Sequence, residues 1–401
     1  MVAVSWPRST TESLHWEPGN IDLVPRSRRL EISSAYEATI TPNIAEIASI
    51  PMPGPLAAEL TDAEAEIARF DERTRSWLAA FAVVSLRTEA AASSQIENLS
   101  ASASSIAVAE YAIPTKSPIK PDAELIVANV TSLSEALERN GPITTEEVVS
   151  IQELLLRSSA PQLTGSFREE QVWIGGTSYS PHQATHVAPH HSRVPAAIDD
   201  LATFISRDDL PRLAQTAIAH AQFENIHPFA NGNGRTGRVI IQRMLHTSGL
   251  TRQSLVPLSA GLLGSTKSYF AALDAYRQGD VEPVFRVFVD ATFAAISNAT
   301  TLANELDEIH EAWKSQITAR SDSAIWGALE VCAGRPAITA EVLITELGVS
   351  KVNAYRQIDR LVESGIAHQT SKARRNRVWL VSDVVAAAEA FMERSKRHAA
   401  H

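Results

Sequence analysis

Cysteine is almost missing from this sequence, which has a single one, Cys332, among 401 residues. One thiol excludes an intramolecular disulfide, and the cysteine and histidine spacings of structural zinc sites are missing too. This cysteine usage is typical of proteins in a reducing compartment, and we expect the chain to be cytoplasmic.

Long apolar runs are missing as well. No stretch approaches the roughly 18 consecutive apolar residues of a transmembrane helix, and the first residues lack the apolar segment of a signal peptide. We therefore expect no membrane partner. The net charge of −10 argues against a protein that coats nucleic acid with its whole surface.

The rest of the composition is that of an ordinary globular protein, with 44% hydrophobic and 20% charged residues. The length suits two or three domains. Changes in pattern divide the chain into five segments, namely a turn-rich, loosely ordered and poorly defined part (1–60), a helical region (61–115), a helical core (116–300), a linker helix (301–322) and a C-terminal domain (323–401).

Helix signals dominate these segments. Thr61, with Glu64 three residues later, has the pattern of a helix N-cap. Thr144 or Thr145 precedes another helix that begins with acidic residues, and Asn98 is suited to cap the end of the alanine-rich TEAAASSQIEN. The sequence therefore predicts a mainly α protein.

One hairpin stands out in the first 300 residues. FREEQVWIGG reads as a strand that enters a turn at Gly175 and Gly176, and HQATHVAPHH reads as the returning strand. The four histidines in and around the returning strand show no regular ligand spacing, so we assign no metal to them.

The stretch HPFANGNGRTGR, residues 227–238, interrupts the helical pattern. Glycines at a helix start let backbone N–H groups approach an anion, which the helix dipole also favours. Arg235 and Arg238 share a helix face and suit a polyphosphate, while His227 stands where an imidazole can take a proton from a hydroxyl. The stretch predicts phosphoryl or nucleotidyl transfer to an alcohol.

A purely structural loop and the common nucleotide-binding loops fit this stretch less well. A solvated loop with a structural histidine would account for Gly-Asn-Gly alone, but not for the histidine, the glycines and both arginines together. A Walker loop would need Gly-Lys-Ser/Thr, and a dinucleotide-binding loop would need a preceding strand.

The stretch resembles the signature of Fic-domain proteins, His-x-Phe-x-Asp/Glu-Gly-Asn-Gly-Arg-x-x-Arg, and the resemblance extends over about residues 60–300. The family consists of all-α enzymes that move AMP from ATP to a protein hydroxyl. The resemblance implies a helical core with a small β-hairpin flap. It makes His227 the general base and Phe229 a buried anchor, and it assigns the ATP phosphates to Gly232, Asn233, Gly234, Arg235 and Arg238.

Asn231 departs from the family pattern, which often has Asp or Glu there to hold Mg²⁺ between the nucleotide phosphates. The resemblance implies Mg²⁺ or Mn²⁺ beside the substrate ATP. An amide oxygen keeps one ligand at Asn231 but loses the charge that such metals prefer.

SSQIEN resembles the inhibitory helix of one class of Fic proteins, with Ser93, Glu97 and Asn98 in register. The resemblance implies that Glu97 competes with the γ-phosphate of ATP for Arg238, which would misplace the α-phosphate. In some relatives the same glutamate activates water for removal of AMP, so a reverse reaction stays open for Glu97.

The hairpin resembles the family's flap. An exposed strand edge can bind a target segment through main-chain pairing and bring its hydroxyl to the base. The residues that would do so are Val172, Trp173, Ile174 and Gly175. A plain structural hairpin explains each individual residue about as well.

The last 80 residues predict a winged-helix domain, because AITAEVLITELGVSKVNAYRQIDRLVESG reads as helix-turn-helix and IAHQTSKARRNRVWLV as two strands around a basic turn. From residue 321 to 401 there are 11 Lys and Arg against 9 Asp and Glu. Candidate DNA contacts are Lys351, Arg356, Arg360, Lys372, Arg374, Arg375 and Arg377. A protein-binding or dimerising domain is equally open.

Together these features predict a mainly α protein adenylyltransferase that acts on a Ser, Thr or Tyr hydroxyl of a protein, including its own. They also predict an inhibitory helix and a C-terminal winged helix that binds DNA, binds a protein or makes a homodimer. The alternatives are a DNA-binding regulator that only senses ATP, phosphate transfer, or removal of AMP, on the same scaffold.

Overall fold

The computed structural model describes residues 6–16, 25–29, 34–75, 77, 79–114, 118–253, 255–370 and 377–397. This part of the chain is mainly helical with small antiparallel sheets, as the sequence predicts. None of its helices is both long and apolar enough to cross a membrane.

The helices of the described part are numbered in chain order. They are α1 (Gly54–Thr74), α2 (Ala79–Ile96), α3 (Ala103–Ala112), α4 (Pro121–Glu138), α5 (Thr145–Leu156), α6 (Val194–Ile205), α7 (Arg212–Ile226), α8 (Asn233–Thr247), α9 (Leu258–Leu263), α10 (Thr266–Arg277), α11 (Glu282–Gln316), α12 (Ala324–Ala333), α13 (Ala340–Leu347), α14 (Lys351–Glu363) and α15 (Ser382–Arg397).

The strands form three small antiparallel sheets. They are β1 (Thr10–His15) with β2 (Ala35–Ile40), β3 (Trp173–Ile174) with β4 (His186–Val187), and β5 (Ala337–Ile338), β6 (Ala367–Gln369) and β7 (Trp379–Val381) in the order β5-β7-β6. In the second sheet Trp173 stands opposite Val187. This pair of strands is the hairpin that the sequence predicts.

The chain folds into two compact units that alternate along the sequence. The first unit comprises Met1–Thr61, Asn140–Met244 and Lys267–Phe288, and the second comprises Asp62–Arg139, Leu245–Thr266 and Val289–His401. The five continuous segments expected from the sequence stay predictions.

Helix α7 is the centre of the first unit, and every residue from Leu213 to Ile226 is buried. A helix that is covered on all sides must be surrounded by other elements, and here α6 packs along it. Helix α5 begins at a capped end, since the Thr144 hydroxyl accepts from the Glu147 N–H, so the predicted cap is confirmed. The residues that follow α7 are thus attached to a rigid support.

Two expectations about the first 75 residues are wrong. The part expected to be loosely ordered contains the regular β1–β2 pair, in which Thr10 stands opposite Ile40. Thr61 is not an N-cap, because α1 already begins at Gly54 and the Thr61 hydroxyl donates to the Ala57 carbonyl within the helix. Pro55 suits the first turn, where a missing N–H costs nothing.

In the second unit, α2 is held by several buried and partly buried contacts. The Glu89 carboxylate accepts from the Ser259 hydroxyl and N–H at 2.6 and 2.9 Å, and Asn129 donates to the Ala90 carbonyl at 3.0 Å. Arg87 makes a bidentate pair with Glu110 at 2.7 Å for each bond. These contacts fix the helix that carries SSQIEN.

The C-terminal part of the second unit contains a helix-turn-helix followed by two paired strands. Gly348, at φ 62°, ends α13, and the Ser350 hydroxyl accepts from the Asn353 N–H to begin α14. Strand β7 then lies between β5 and β6. The predicted helices, turn and strand pair are present, while the tip of the basic turn, residues 371–376, lies outside the described residues.

Candidate active site

His227 ends helix α7 in a left-handed backbone conformation, with φ 50° and ψ 62°. Its N–H donates to the Phe223 carbonyl at 2.9 Å, which closes the last turn. A residue with a Cβ atom adopts this conformation at a cost of about 1 kcal/mol or more, so the surroundings must impose it. The His227 side chain is 19% exposed and can be reached from solvent.

The residues between α7 and α8, 227–232, are called here the histidine loop. Its middle is fixed by the Asn233 amide, whose oxygen accepts from the Phe229 N–H at 2.8 Å and whose nitrogen donates to the Phe229 carbonyl at 2.7 Å. Phe229 is fully buried, as predicted, and its ring lies 5.6 Å from that of Phe167. The Asn233 side chain therefore shapes the loop, while its main-chain N–H lies in the first turn of α8, where it can bind an anion.

Gly232 is required where the histidine loop turns into α8. It has φ 81°, and a Cβ atom there would lie 3.1 Å from Leu155 Cδ2. Its carbonyl accepts from the Thr236 N–H at 2.9 Å and begins the helix. The N–H groups of Asn233 and Gly234 belong to the first turn, where a helix leaves donors for a ligand.

Arg235 and Arg238 follow in the first two turns of α8, and each is only 3% exposed. One Arg235 nitrogen lies 3.5 Å from the side-chain oxygen of Asn231. Two buried guanidinium groups beside a helix N-terminus concentrate positive charge at one end of the histidine loop.

Glu224 lies one turn before His227 and was missed by sequence reasoning. Its Oε2 is 3.9 Å from His227 Nδ1, and its side chain is 8% exposed. A carboxylate at this distance stabilises the imidazolium that forms when the ring accepts a proton. The spacing of three residues on a helix was the available signal.

The carbonyl end of α7 is capped by two side chains that sequence reasoning also missed. Arg168 donates to the carbonyls of Ile226 and His227, at 3.4 and 2.9 Å. His186 lies 3.0 Å from the Asn225 carbonyl through Nε2. Burial, with the charges of Arg277 and His227 next, lowers the pKa of His186 to about 2, so its ring is neutral and donates one proton.

His220 supports the start of α8 from below. Its Nε2 lies 2.7 Å from the Tyr269 hydroxyl, and a Cβ atom on Gly237 would come within 3.2 Å of its ring. Burial, and then the charge of Arg238, lower the pKa of His220 to about 3. A neutral ring therefore packs closely under the helix that carries both arginines.

The flap has one edge turned away from its partner strand. The carbonyls of Val172 and Ile174 accept from the two residues that flank β4, at 3.1 Å from the Ala188 N–H and 2.8 Å from the Thr185 N–H. Strand periodicity therefore turns the N–H and C=O of Trp173 to the opposite edge. Within the described residues no other strand pairs with β3.

The tip and the back of the flap are rigid. Gly175 and Gly176 have φ 76° and 69°, and a Cβ atom on either would come within 2.6 Å of the returning chain. The Trp173 indole donates to the Thr177 carbonyl at 2.7 Å, and Trp16 packs edge-on against it at 5.1 Å. Trp16, the residue that follows β1, thus supports the flap through a contact that no local sequence pattern predicts.

A metal site built by the protein does not fit these residues. The described residues contain no group of three or more His, Cys, Asp or Glu side chains placed to hold a metal. In the histidine loop Asn231 offers a neutral amide oxygen, which already faces the Arg235 cation. Mg²⁺ normally takes at least one carboxylate.

Ser93, Glu97 and Asn98 all lie at the end of α2, in the second unit, whereas Arg238 belongs to the first. Ser93 is buried, and Asn98 has φ 62°. The Leu99 N–H donates to the Ser94 carbonyl at 3.1 Å, which confirms Asn98 as the helix C-cap.

The predicted DNA-contacting residues divide into three groups. Lys351 and Arg356 are exposed on α14. Arg377 lies over the Tyr355 ring at 5.6 Å, and Arg360 points to the Thr318 carbonyl and Ser323 hydroxyl at 3.3 and 3.4 Å. The remaining three lie outside the described residues and are Lys372, Arg374 and Arg375.

The chain is similar to known proteins in sequence and in structure. Residues 142–245 match the model of the Fic/DOC family. The protein adenylyltransferase Fic of Drosophila willistoni is 26% identical over 164 residues, which are 40% of this chain and 29% of that protein. The Aedes aegypti protein of the same name is 25% identical over 174 residues, 43% of this chain and 31% of that protein.

These matches cover about three tenths of the length of the curated relatives. Among solved structures, a Fic family protein from Desulfovibrio desulfuricans superimposes with a TM-score of 0.52 at 22% identity, over 85% of this chain and 98% of that one. The matched residues include the flap, the histidine loop and both arginines. The chain therefore contains a Fic domain.

Proposed function

We propose that this chain is a protein adenylyltransferase that moves AMP from ATP to a Ser, Thr or Tyr hydroxyl of a protein. One observation carries the proposal. The partly exposed imidazole of His227 is connected to the start of a helix that carries two buried arginines, and the connecting loop is fixed by the Asn233 side chain. The names of the curated relatives support the same reaction.

ATP would lie with its phosphates at the start of α8. The first-turn N–H groups of Asn233 and Gly234 suit phosphate oxygens, with Arg235 at the β-phosphate and Arg238 at the γ-phosphate. Both arginines are already buried, so their positions require little ordering when the nucleotide binds.

The chemistry is one displacement at the α-phosphorus. His227 takes the hydroxyl proton as the oxygen attacks, the bond from the α-phosphorus to the bridging oxygen breaks, and pyrophosphate leaves with its charge held by Arg235 and Arg238. The imidazolium is stabilised by the Glu224 carboxylate 3.9 Å away. A positioned base of this kind contributes about 10²–10⁴-fold.

The target would dock on the flap. Its main chain pairs with the outward N–H and C=O of Trp173, and Ile174, which is 40% exposed, offers an apolar contact. Main-chain pairing discriminates little between target sequences. The flap therefore determines how far the target segment enters the site more than which sequence binds. The adenylyltransferase chain is also a candidate target of its own AMP transfer.

Mg²⁺ or Mn²⁺ would accompany the nucleotide and be held mainly by its phosphates, with Asn231 as a neutral additional ligand. Asn231→Asp should therefore lower the metal concentration that gives half-maximal ATP binding, measured by calorimetry. Equal metal dependence in both forms would remove Asn231 from this role.

The end of α2 would act as a brake. Glu97 competes with the γ-phosphate for Arg238, while the buried Ser93 and the left-handed Asn98 fix where the helix ends. Glu97→Gly should raise transfer, including self-labelling, since the glycine has no carboxylate. Gln95→Ala on the same helix is the control. A rate at the parent level in Glu97→Gly would contradict the brake.

Labelled ATP distinguishes the reactions open to this scaffold. Incubation of the Glu97→Gly chain with α-labelled and γ-labelled ATP should place only the α-label on protein. Transfer of the γ-label would mean phosphate transfer, and release of label from modified protein would mean removal of AMP. If no label reaches the protein from either form of ATP, the result favours an ATP sensor.

A second function, DNA binding, is favoured by the exposed Lys351 and Arg356 at the start of α14, after the Gly348 turn. Cations on the second helix of a helix-turn-helix suit the phosphates and bases of a major groove. Arg360 is left out of this interface because its contacts are to Thr318 and Ser323. Retardation of duplex DNA by the full chain tests it; equal mobility with and without protein would favour a protein partner or a homodimer.

A further inference from the structure

Arg168 lies just before the flap and is only 5% exposed. Its guanidinium donates to four main-chain carbonyls: His227 at 2.9 Å, Glu170 at 2.9 Å, Pro189 at 2.6 Å and Ile226 at 3.4 Å. Its own N–H donates to the Pro228 carbonyl at 3.1 Å. One residue thus contacts three consecutive residues of the chain around the proposed base.

The positions of these acceptor carbonyls show which parts of the fold Arg168 connects. Ile226 and His227 form the end of α7, where a helix has carbonyls without helical partners and carries partial negative charge. Glu170 precedes β3 and Pro189 follows β4, so the other two bonds reach both ends of the flap. A single planar group therefore joins the backbone of His227 to the hairpin.

The charge of Arg168 persists although it is buried. Burial lowers its pKa to about 10, with opposing contributions from Tyr36 and Glu170, so the group is protonated at neutral pH. Hydrogen bonds from a charged donor are about twice as strong as neutral ones. The fork geometry of a guanidinium is needed here, because an ammonium group cannot reach acceptors in four directions across the same plane.

We infer that Arg168 is a positioning residue for the transfer reaction: it holds His227 in its left-handed conformation and keeps the base in register with the flap. The inference rests on the proposed function for its rate effect. The hold on the backbone is a property of the fold and can be measured without ATP. Arg168 touches neither nucleotide nor target in this account, so its loss should act on kcat.

The test compares Arg168→Lys and Arg168→Met with Arg243→Met in the Glu97→Gly chain. Arg243 is the matched control, because it is a buried arginine of the same unit. It donates to the Gly141 carbonyl at 3.0 Å and lies 4.0 Å from the Glu147 carboxylate, and both of these partners are outside the histidine loop. For each chain we would measure kcat, KM for ATP, the thermal midpoint, and hydrogen exchange of peptides spanning 223–233.

Both methionine variants should lower the thermal midpoint, but only the Arg168 variants should lower kcat and speed exchange in 223–233. We expect a loss in kcat of about a hundredfold for Arg168→Met and about tenfold for Arg168→Lys, since small misplacements of a reacting group are costly, with KM for ATP within about twofold. If Arg168→Met does not fold, Arg168→Lys decides alone.

Parental kcat in Arg168→Lys, or a kcat loss in Arg243→Met equal to that in Arg168→Met, would overturn the inference. If the Glu97→Gly chain transfers no AMP, the proposed function fails and the exchange measurement decides about Arg168. Unchanged exchange in 223–233 in the Arg168 variants would then reject it, and faster exchange confined to that segment would support it.

Discussion

The histidine loop of the first unit and the turn around Gly348 in the second both connect two helices, but they are held in different ways. The Gly348 turn is fixed by its own residues, a left-handed glycine and a serine cap. The histidine loop is fixed in its middle by the adjoining Asn233 amide, but it is also held by side chains from elsewhere in the sequence. These are Arg168, which donates to the His227 carbonyl, and Gln152, which donates to the Asn231 carbonyl at 3.4 Å.

The two ways of fixing a turn differ in what they indicate about function. A turn held by its own residues forms wherever the sequence pattern occurs, so the pattern predicts its shape but not what its surface binds. A turn held from outside keeps a strained residue, His227, in a fixed position, and strain of this kind persists only where the surroundings impose it. The histidine loop is therefore the better supported site.

The largest effect is expected from Asn233→Ala. The change leaves the buried Phe229 N–H and C=O without their amide, which should cost about 3 kcal/mol of unfolding free energy and lower transfer about a hundredfold. Asn298→Ala is the matched change in the second unit, where a buried amide donates to the Phe391 carbonyl and the Ser395 hydroxyl. It should destabilise without slowing transfer, and urea unfolding with rate assays distinguishes the two.

Acid should weaken the first unit through its buried histidines. His186 and His220 have pKa values of about 2 and about 3 when folded, against about 6.5 unfolded. Below pH 6.5 the unfolded chain binds protons that the folded chain does not. The free energy of unfolding therefore decreases as the pH is lowered, by about 3 kcal/mol for the two histidines together between pH 7.5 and 5.5. His220→Gln should remove about half of that loss in urea titrations at the two pH values; an unchanged loss would contradict the assignment.

Alanine at the two left-handed glycines measures how closely each turn is packed. Gly232→Ala adds a Cβ 3.1 Å from Leu155 besides the strain of φ 81°, whereas nothing lies within 4 Å of a Cβ at Gly348. We expect a cost of about 2 kcal/mol at Gly232 and about 1 kcal/mol at Gly348. Equal costs in thermal unfolding would show that packing at the histidine loop is loose.

The smallest effects are expected in the tail. Lys351→Ala and Arg356→Ala should each weaken the affinity for duplex DNA a few-fold. Each should also reduce the slope of log affinity against log salt concentration by about one, because each removes a phosphate contact. Arg360→Ala is the control and should leave the slope unchanged, since Arg360 contacts Thr318 and Ser323. An equal change of slope in Arg360→Ala would mean that the interface has been assigned to the wrong face.

The sequence predicted features whose residues are contiguous. The helical class, the caps at Thr144 and Asn98 and the hairpin were predicted from local patterns and are confirmed. The β1–β2 pair was missed because its strands are flanked by turn-forming residues. Arg168 was missed because its acceptors are main-chain carbonyls up to 59 residues away, which no side-chain pattern marks.

The central proposal is that His227 is the base for AMP transfer from a nucleotide held at the start of α8. The most direct measurement compares α-label transfer and ATP affinity in the Glu97→Gly chain with and without His227→Ala. We predict transfer in the first chain and its loss in the second, with similar ATP affinities. Undiminished transfer in the His227→Ala chain, or no transfer in either chain, would contradict this role of His227.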